Sequence, residues 1–193
     1  MKQPYVLYHL LLLVGILMLM AGCTGPSEQR VQTPSASVTS PSRPFTQLRP
    51  EGVLPSSCPV TPVYQGGQKR SISGAADIPW FQAQPTSSDI LGYLFFAQGK
   101  TTKSGTYRFL HTGGGYPDGS TTKILWIVDH SQPSGSLQID GTSLYNPKKT
   151  FHQTIAGEGE IPSIVVVPSA GCWRLQLSSG DAHGSIILWV VGG

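Results

Sequence analysis

Hydrophobic and polar side chains alternate along much of the chain after residue 58. In the segment WRLQL, residues 173–177, the apolar side chains alternate with an arginine and a glutamine. A period of two is that of a β-strand with one face in the core and the other in solvent. We therefore expect Trp173 to point into a core and the preceding Cys172 to point away from it.

Similar short runs recur between turns rich in Gly, Pro, Asn and Asp, and no helical period is evident after residue 58. They predict strands at Ile90–Ala97, Thr106–His111, Lys123–Asp129, Ser136–Ile139, Thr150–Ile155, Ser163–Val167, Cys172–Leu177 and Ser185–Val191. A further strand is expected at either Lys69–Ser73 or Ile78–Ala83. About seven to nine short strands in a domain of this length predict an all-β chain folded as a β-sandwich.

The last predicted strand, Ser185–Val191, is apolar on both faces. Either another element covers its second face, or that face is an interaction surface. If this strand were a bare sheet edge, a partner would be able to add a strand to it.

The N-terminus has the pattern of a secretory signal peptide. Lys2 precedes an apolar run, Leu10–Met20, which is followed by Ala21, Gly22 and Cys23. Met20–Cys23 resembles the bacterial lipobox, in which the cysteine thiol receives a diacylglycerol and becomes the new N-terminus. This resemblance implies that residues 1–22 are removed and that Cys23 carries a lipid anchor. The alternative is an ordinary signal peptide that leaves Cys23 unmodified in the mature chain.

Composition changes sharply after Cys23. Residues 24–57 are rich in Ser, Thr and Pro and lack apolar periodicity. Such a segment buries too little apolar surface to offset its ordering entropy, so we expect residues 23–57 to be a lipidated cysteine and a disordered tether. The remaining residues, 58–193, suit one β-sandwich domain.

Three cysteines leave one unpaired in a secreted protein. Lipidation of Cys23 leaves Cys58 and Cys172 as a candidate disulfide in an oxidising compartment. Because Cys172 is expected to face away from the core, the bridge would attach the start of the domain to the outside of the penultimate strand. Two buried thiols are the alternative, and neither cysteine has a second ligand at the spacing of a metal site.

Two resemblances refine the fold. The pattern Pro-x-x-Gly-x-Trp at 168–173, a strand, a Gly-rich hairpin and a last apolar strand resemble the end of bacterial immunoglobulin-like domains. There an aromatic residue, usually Tyr, occupies the corner that Trp173 would take, and an indole offers only an N–H donor in its place.

The segments CPVTP (58–62), TKILWIV (122–128), GSLQIDGTSL (135–144) and PSIVVVPSAGCWRLQLSSG (162–180) resemble uncharacterised secreted bacterial lipoproteins with a Gly-Cys-Trp motif. This resemblance implies a single immunoglobulin-like sandwich and brings no activity.

Charge and motifs exclude several functions. Lys and Arg number 13 against 10 Asp and Glu, and the basic residues are scattered, so no nucleic-acid partner is expected. The histidines lack metal-ligand spacing, and Asp129 and His130 would face opposite sides of a strand. Glu158 and Glu160 flank a glycine and are more simply explained as a solvated loop than as a cation site. We expect no catalytic residues, no metal and no cofactor.

Aromatic residues supply the candidate binding site. Trp80 in IPWFQAQ (78–84), with Tyr116 and Asp118 in GGGYPDGS (113–120), combines aromatic rings with amide or carboxylate groups. Aromatic platforms with polar neighbours bind sugars, and exposed aromatics also anchor protein partners. The alternative for Trp80 is an ordinary core position.

Taken together, the sequence predicts a bacterial surface lipoprotein, held at the cell membrane through the Cys23 lipid. It would act as a noncatalytic binding or assembly module at the envelope, with a protein or polysaccharide partner. The first alternative is a carbohydrate- or cell-wall-binding module that uses exposed aromatics. The second is a small envelope enzyme whose site is built from distant loops.

Overall fold

The computed structural model describes residues 44–67, 77–99, 102–129 and 135–192, and this part of the chain is built from strands. A single short 3-10 turn, Thr112–Gly114, is the exception among the described residues. The strands are β1 (Thr46–Pro50), β2 (Val63–Gln65), β3 (Trp80–Gln82), β4 (Ile90–Leu94), β5 (Thr106–Tyr107), β6 (Leu110–His111), β7 (Lys123–Val128), β8 (Ser136–Ser143), β9 (Thr150–Ala156), β10 (Glu160–Ile164), β11 (Gly171–Ser179) and β12 (Ala182–Val191).

The strands form two sheets, which confirms the predicted all-β sandwich. One sheet has seven strands in the order β10-β7-β4-β3-β2-β1-β5, and the other has five in the order β6-β12-β11-β8-β9. In the second sheet, the neighbours β12-β11-β8-β9 follow the order G-F-C-C′ of an immunoglobulin domain. Strand β6 pairs in parallel with the last strand, β12, and closes the other edge of this sheet.

Several predicted strand boundaries differ from the observed ones. The predicted strand Thr106–His111 is divided into β5 and β6, which belong to different sheets. The strand predicted at Ser163–Val167 is observed at Glu160–Ile164. The prediction extended too far because buried and exposed residues still alternate through Val167, after the last paired residue, Ile164. Of the two candidates for an early strand, Ile78–Ala83 contains β3, whereas Lys69–Ser73 lies outside the described residues.

The core lies between the two sheets, and alternate residues of each strand fill it. Trp173, at the start of β11, is fully buried, as predicted, together with Leu175 and Leu177. Its ring packs against Phe151, with the ring centroids 5.5 Å apart. Its indole N–H donates to the carbonyl oxygen of Ser169 at 2.8 Å. The hydrogen bond of the aromatic corner is thus made by an indole in place of a hydroxyl.

Cys172 lies on the outward face of β11 and is nevertheless fully buried. It is within disulfide distance of Cys58, with the Cα atoms 5.7 Å apart. The segment after Cys58 runs along the outside of β12, where the Thr61 N–H donates to the Ile187 carbonyl at 2.8 Å. The Thr61 hydroxyl in turn accepts the Ile187 N–H, also at 2.8 Å. Cys58 is itself buried, at 3% exposed.

The last strand is not a bare edge. Strand β12 lies between β11 and β6, and it also contacts the chain at Thr61 and Gln84. The condition for adding a partner strand at SIILWVV is therefore not met. On its second apolar face, Ile187, Trp189 and Val191 are partly buried.

The folded part of the chain begins earlier than residue 58. Strand β1 lies inside the segment 23–57 that composition predicts to be a tether. It pairs antiparallel with β2 and parallel with β5, and Leu48 at its centre is 4% exposed. The average composition of the segment conceals this short strand, because five residues change the mean very little. Cys23 and the predicted signal peptide lie outside the described residues.

Candidate functional site

Three aromatic rings form a row across the ends of neighbouring strands. Tyr64 on β2 is directly opposite Trp80 on β3, and their ring centroids are 5.2 Å apart. Phe45, which precedes β1, meets the Tyr64 ring edge-on at 5.3 Å. Because the three rings contact one another and Trp80 belongs to a cluster separate from the main core, they lie on the same outer face of the seven-stranded sheet.

Trp80 is the inner member of this row. It is 7% exposed, and its indole N–H donates to the Gly66 carbonyl at 2.9 Å. It belongs to a second apolar cluster on the outer face of the sheet, with Leu91, Tyr93 and Ile127. This cluster buries most of the side chain, which agrees with the alternative of an ordinary core position. That Trp80 binds a ligand stays a prediction.

The accessible aromatic surface belongs instead to Phe45 and Tyr64. Phe45 is 61% exposed, and Tyr64 is partly buried. Neither was a candidate from the sequence, because Phe45 stands in a Ser/Thr/Pro-rich stretch and Tyr64 in a strand of only three residues. An aromatic residue just before the first apolar alternation is the one signal that would have pointed to Phe45.

These rings line a cleft of about 330 Å³, which we call the aromatic cleft. Its lining includes Phe45, Tyr64, Trp80, Gln82, Gln84 and Thr86. The Gln82 amide donates to the carbonyl oxygens of Thr86 and Ser88, at 3.0 Å for Ser88. The cleft therefore combines aromatic rings with amide and hydroxyl groups, one of which is fixed by its own hydrogen bonds.

A second, wider cleft of about 430 Å³ lies on the outer face of the five-stranded sheet, and we call it the polar cleft. Its polar lining includes Asp140, Gln176, Ser178, His183 and Ser185, together with Gln84. Gln176 on β11 lies between Asp140 on β8 and Ser185 on β12 in the sheet register. Because Leu175 and Leu177 point into the core, the side chain of Gln176 faces the cleft.

Asp140 is held in place by a neighbouring histidine. The Nδ1 atom of His152 is 2.8 Å from an Asp140 carboxylate oxygen, and its Nε2 atom is 2.9 Å from the Thr154 hydroxyl. The carboxylate, imidazole and hydroxyl follow the order of a catalytic triad. However, all three stand on an exposed sheet face, and Thr154 lines neither cleft. We infer that these hydrogen bonds orient the Asp140 carboxylate at the wall of the polar cleft.

Tyr116 is packed, and it is not an open platform. The Arg108 guanidinium lies 3.7 Å from the centre of its ring, and its hydroxyl donates to the Phe109 carbonyl. Burial raises the pKa of Tyr116 well above its usual value, and the Arg108 charge opposes this shift. The Arg108 guanidinium therefore already occupies one face of the ring, and that Tyr116 binds a ligand stays a prediction.

Asp118 is exposed and organises its own turn. Its carboxylate accepts hydrogen bonds from the Ser120 backbone N–H at 3.0 Å and from the Ser120 hydroxyl. These bonds, with the Arg108 guanidinium at 3.4 Å, hold the pKa of Asp118 below its usual value. Neither Tyr116 nor Asp118 lines the two clefts, so the structure does not bring them together with Trp80.

Two further observations concern the described residues alone. They contain no group of three or more His, Cys, Asp and Glu side chains placed to hold a metal ion. They also contain no helix that is long and apolar enough to cross a membrane. His130, which the sequence places beside Asp129, lies outside them.

Comparisons of the chain with protein-family models, with curated proteins and with solved structures found no match.

Proposed function

We propose that this protein is a lipid-anchored, noncatalytic binding or assembly module at the bacterial cell envelope. The observation that carries the proposal is the sequence Met20–Cys23 at the end of the apolar run Leu10–Met20. Small residues before a cysteine at this position are the features that lipoprotein processing requires. In this proposal the bilayer is the partner of Cys23, and the β-sandwich is the part presented to other envelope components.

The anchor is tested by the variant Cys23→Ser, with Thr24→Ser as the matched control. We expect the native protein and the control to partition into the detergent phase and to carry a diacylglycerol-sized mass increase on the Cys23 peptide. The Cys23→Ser variant should lack the added mass. If the native Cys23 peptide carries no added mass, the anchor proposal is wrong.

A second candidate function is favoured by the aromatic cleft. Sugar rings present apolar C–H faces and polar hydroxyl edges, and a cleft with aromatic rings and fixed amides complements both. Phe45, Tyr64 and Gln82 supply these groups here. We therefore propose a carbohydrate- or cell-wall-binding module as the specific form of the binding function.

Sedimentation of the protein with isolated cell walls tests this candidate. We expect Tyr64→Ala to reduce the bound fraction, because it removes the central ring of the row. Tyr145→Ala is the matched control, since Tyr145 is 50% exposed and lines neither cleft. Equal binding of the two variants would contradict the assignment of the cleft, and capture of a protein by crosslinking through Tyr64 would favour the assembly role.

A further inference from the structure

We propose that the aromatic cleft and the polar cleft are two subsites of one groove that binds an uncharged, linear polysaccharide. This inference rests on the carbohydrate-binding candidate above and extends it. The polar cleft, which the sequence did not indicate, becomes the second subsite. It would bind the sugar units that extend beyond the aromatic rings.

Continuity of the groove comes from one segment. Trp80, Gln82 and Gln84 are alternate residues of β3 and its extension, and all three line the aromatic cleft. Gln84 also lines the polar cleft, so the two clefts meet at its side chain. At the strand rise, residues 80–84 extend over about 13 Å, which exceeds the length of a single sugar ring.

The junction between the subsites is rigid. The Gln84 N–H donates to the Ser185 carbonyl at 2.8 Å, and the Ser185 N–H donates to the Gln84 carbonyl at 2.8 Å. This pair joins the segment after β3 to β12 of the other sheet. A binding groove that crosses both sheets is therefore preorganised, and its ligand would lose little affinity to ordering of the protein.

Several side chains bring hydrogen-bonding groups to the polar subsite. Gln84, Gln176 and His183 line this subsite and are exposed. Amide and imidazole groups both donate and accept, as the hydroxyl groups of a sugar do. Asp140, oriented by His152, adds a fixed acceptor at the wall.

The charges of the lining residues and the backbone hydrogen bonds at the junction distinguish between the possible ligands. Among the described residues, no lysine or arginine lines either cleft, so this part of the lining offers none of the cations that phosphate or nucleic-acid ligands require. An extended peptide binds well where a strand edge offers free backbone groups. At the junction those groups of Gln84 and Ser185 are already paired with each other. An uncharged chain rich in hydroxyl groups is the ligand that fits the remaining surface.

The test measures affinity against ligand length for the full-length protein, purified in detergent. The probes are isolated cell walls and two oligosaccharide series, cello-oligosaccharides and chito-oligosaccharides, from disaccharide to hexasaccharide. The aromatic subsite is removed by Tyr64→Ala and the polar subsite by the double variant Gln176→Ala/His183→Ala. Arg174→Ala is the matched control, because Arg174 is exposed on the same face of β11 and lines neither cleft.

We expect the native protein to bind the hexasaccharide of one series about tenfold more tightly than the disaccharide, since each added hydrogen bond contributes a modest net free energy. The double variant should lose this gain and keep the native affinity for the disaccharide. Tyr64→Ala should weaken binding of both lengths. Arg174→Ala should match the native protein at every length.

Two outcomes would overturn the inference, and they differ in what they say of the proposed function. If affinity does not depend on length, or if the double variant binds the hexasaccharide as tightly as the native protein, the extended groove is wrong. Binding that is still lost in Tyr64→Ala would then leave the carbohydrate-binding candidate intact. If neither the oligosaccharides nor the cell walls bind, both the groove and the carbohydrate-binding candidate fail.

Discussion

Replacement of Trp173 tests the packing on which the sandwich depends. Its side chain is fully buried between the sheets, at a position paired with Ser143 on β8 and Leu188 on β12. Phe151 packs on its ring, and the Ser169 carbonyl accepts its N–H. Trp173 therefore links three strands of one sheet to the turn that enters β11.

The expected magnitude follows from these contacts. Trp173→Ala removes a fully buried indole and leaves a cavity, which should lower the free energy of unfolding by about 3–5 kcal/mol. Trp173→Phe keeps much of the ring but leaves the Ser169 carbonyl without its donor and a smaller cavity beside it. We expect this variant to lose about 2 kcal/mol.

Equilibrium unfolding in urea, followed by far-ultraviolet circular dichroism, measures both values without relying on tryptophan fluorescence. Trp189→Ala is the control, because Trp189 is only partly buried on the opposite face of β12. It should cost clearly less than Trp173→Ala. A nearly neutral Trp173→Ala, or an equal loss in the control, would refute the assignment of Trp173 to the core.

Three further predictions concern the disulfide, a glycine and a buried phenol. Reduction should lower the free energy of unfolding by about 4–5 kcal/mol, because a bridge between Cys58 and Cys172 closes a loop with a sequence separation of 114. Thermal unfolding with and without reductant measures this loss. Two thiols that are freely alkylated in the unreduced protein would contradict the bridge. Gly141→Ala should cost about 1–3 kcal/mol, because its Cβ would lie 2.0 Å from a ring carbon of the β9 phenylalanine. Gly115→Ala, where the backbone is extended and the nearest atom is 3.5 Å away, should be almost neutral in the same urea assay. Burial raises the pKa of Tyr107 to about 12, so the folded state holds this proton more tightly than the unfolded chain and stability should fall as the pH rises from about 10 to about 12. Tyr107→Phe should flatten that fall, and an unchanged pH profile would argue against the buried phenol.

The sequence determined those features that depend on local alternation. Strands with a long alternating pattern, such as β7 and β11, carry enough periods to be recognised, and the inward direction of Trp173 follows from the period alone. The pairing of Cys58 with Cys172 was expected from the count of cysteines, and the structure places the two at disulfide distance. The sequence reveals these features because each depends on neighbouring residues or on the number of cysteines.

Tertiary structure alone decided the rest. Strands of two or three residues, such as β2 and β5, show no period, because they are held by their partners in the sheet. The aromatic row joins Phe45 and Tyr64, which the chain separates, and burial in the outer cluster removed Trp80 from the exposed surface. The meeting of two clefts at Gln84 depends on its pairing with a strand of the other sheet. No local pattern specifies such long-range contacts, because their free energy arises only when the sheets are assembled.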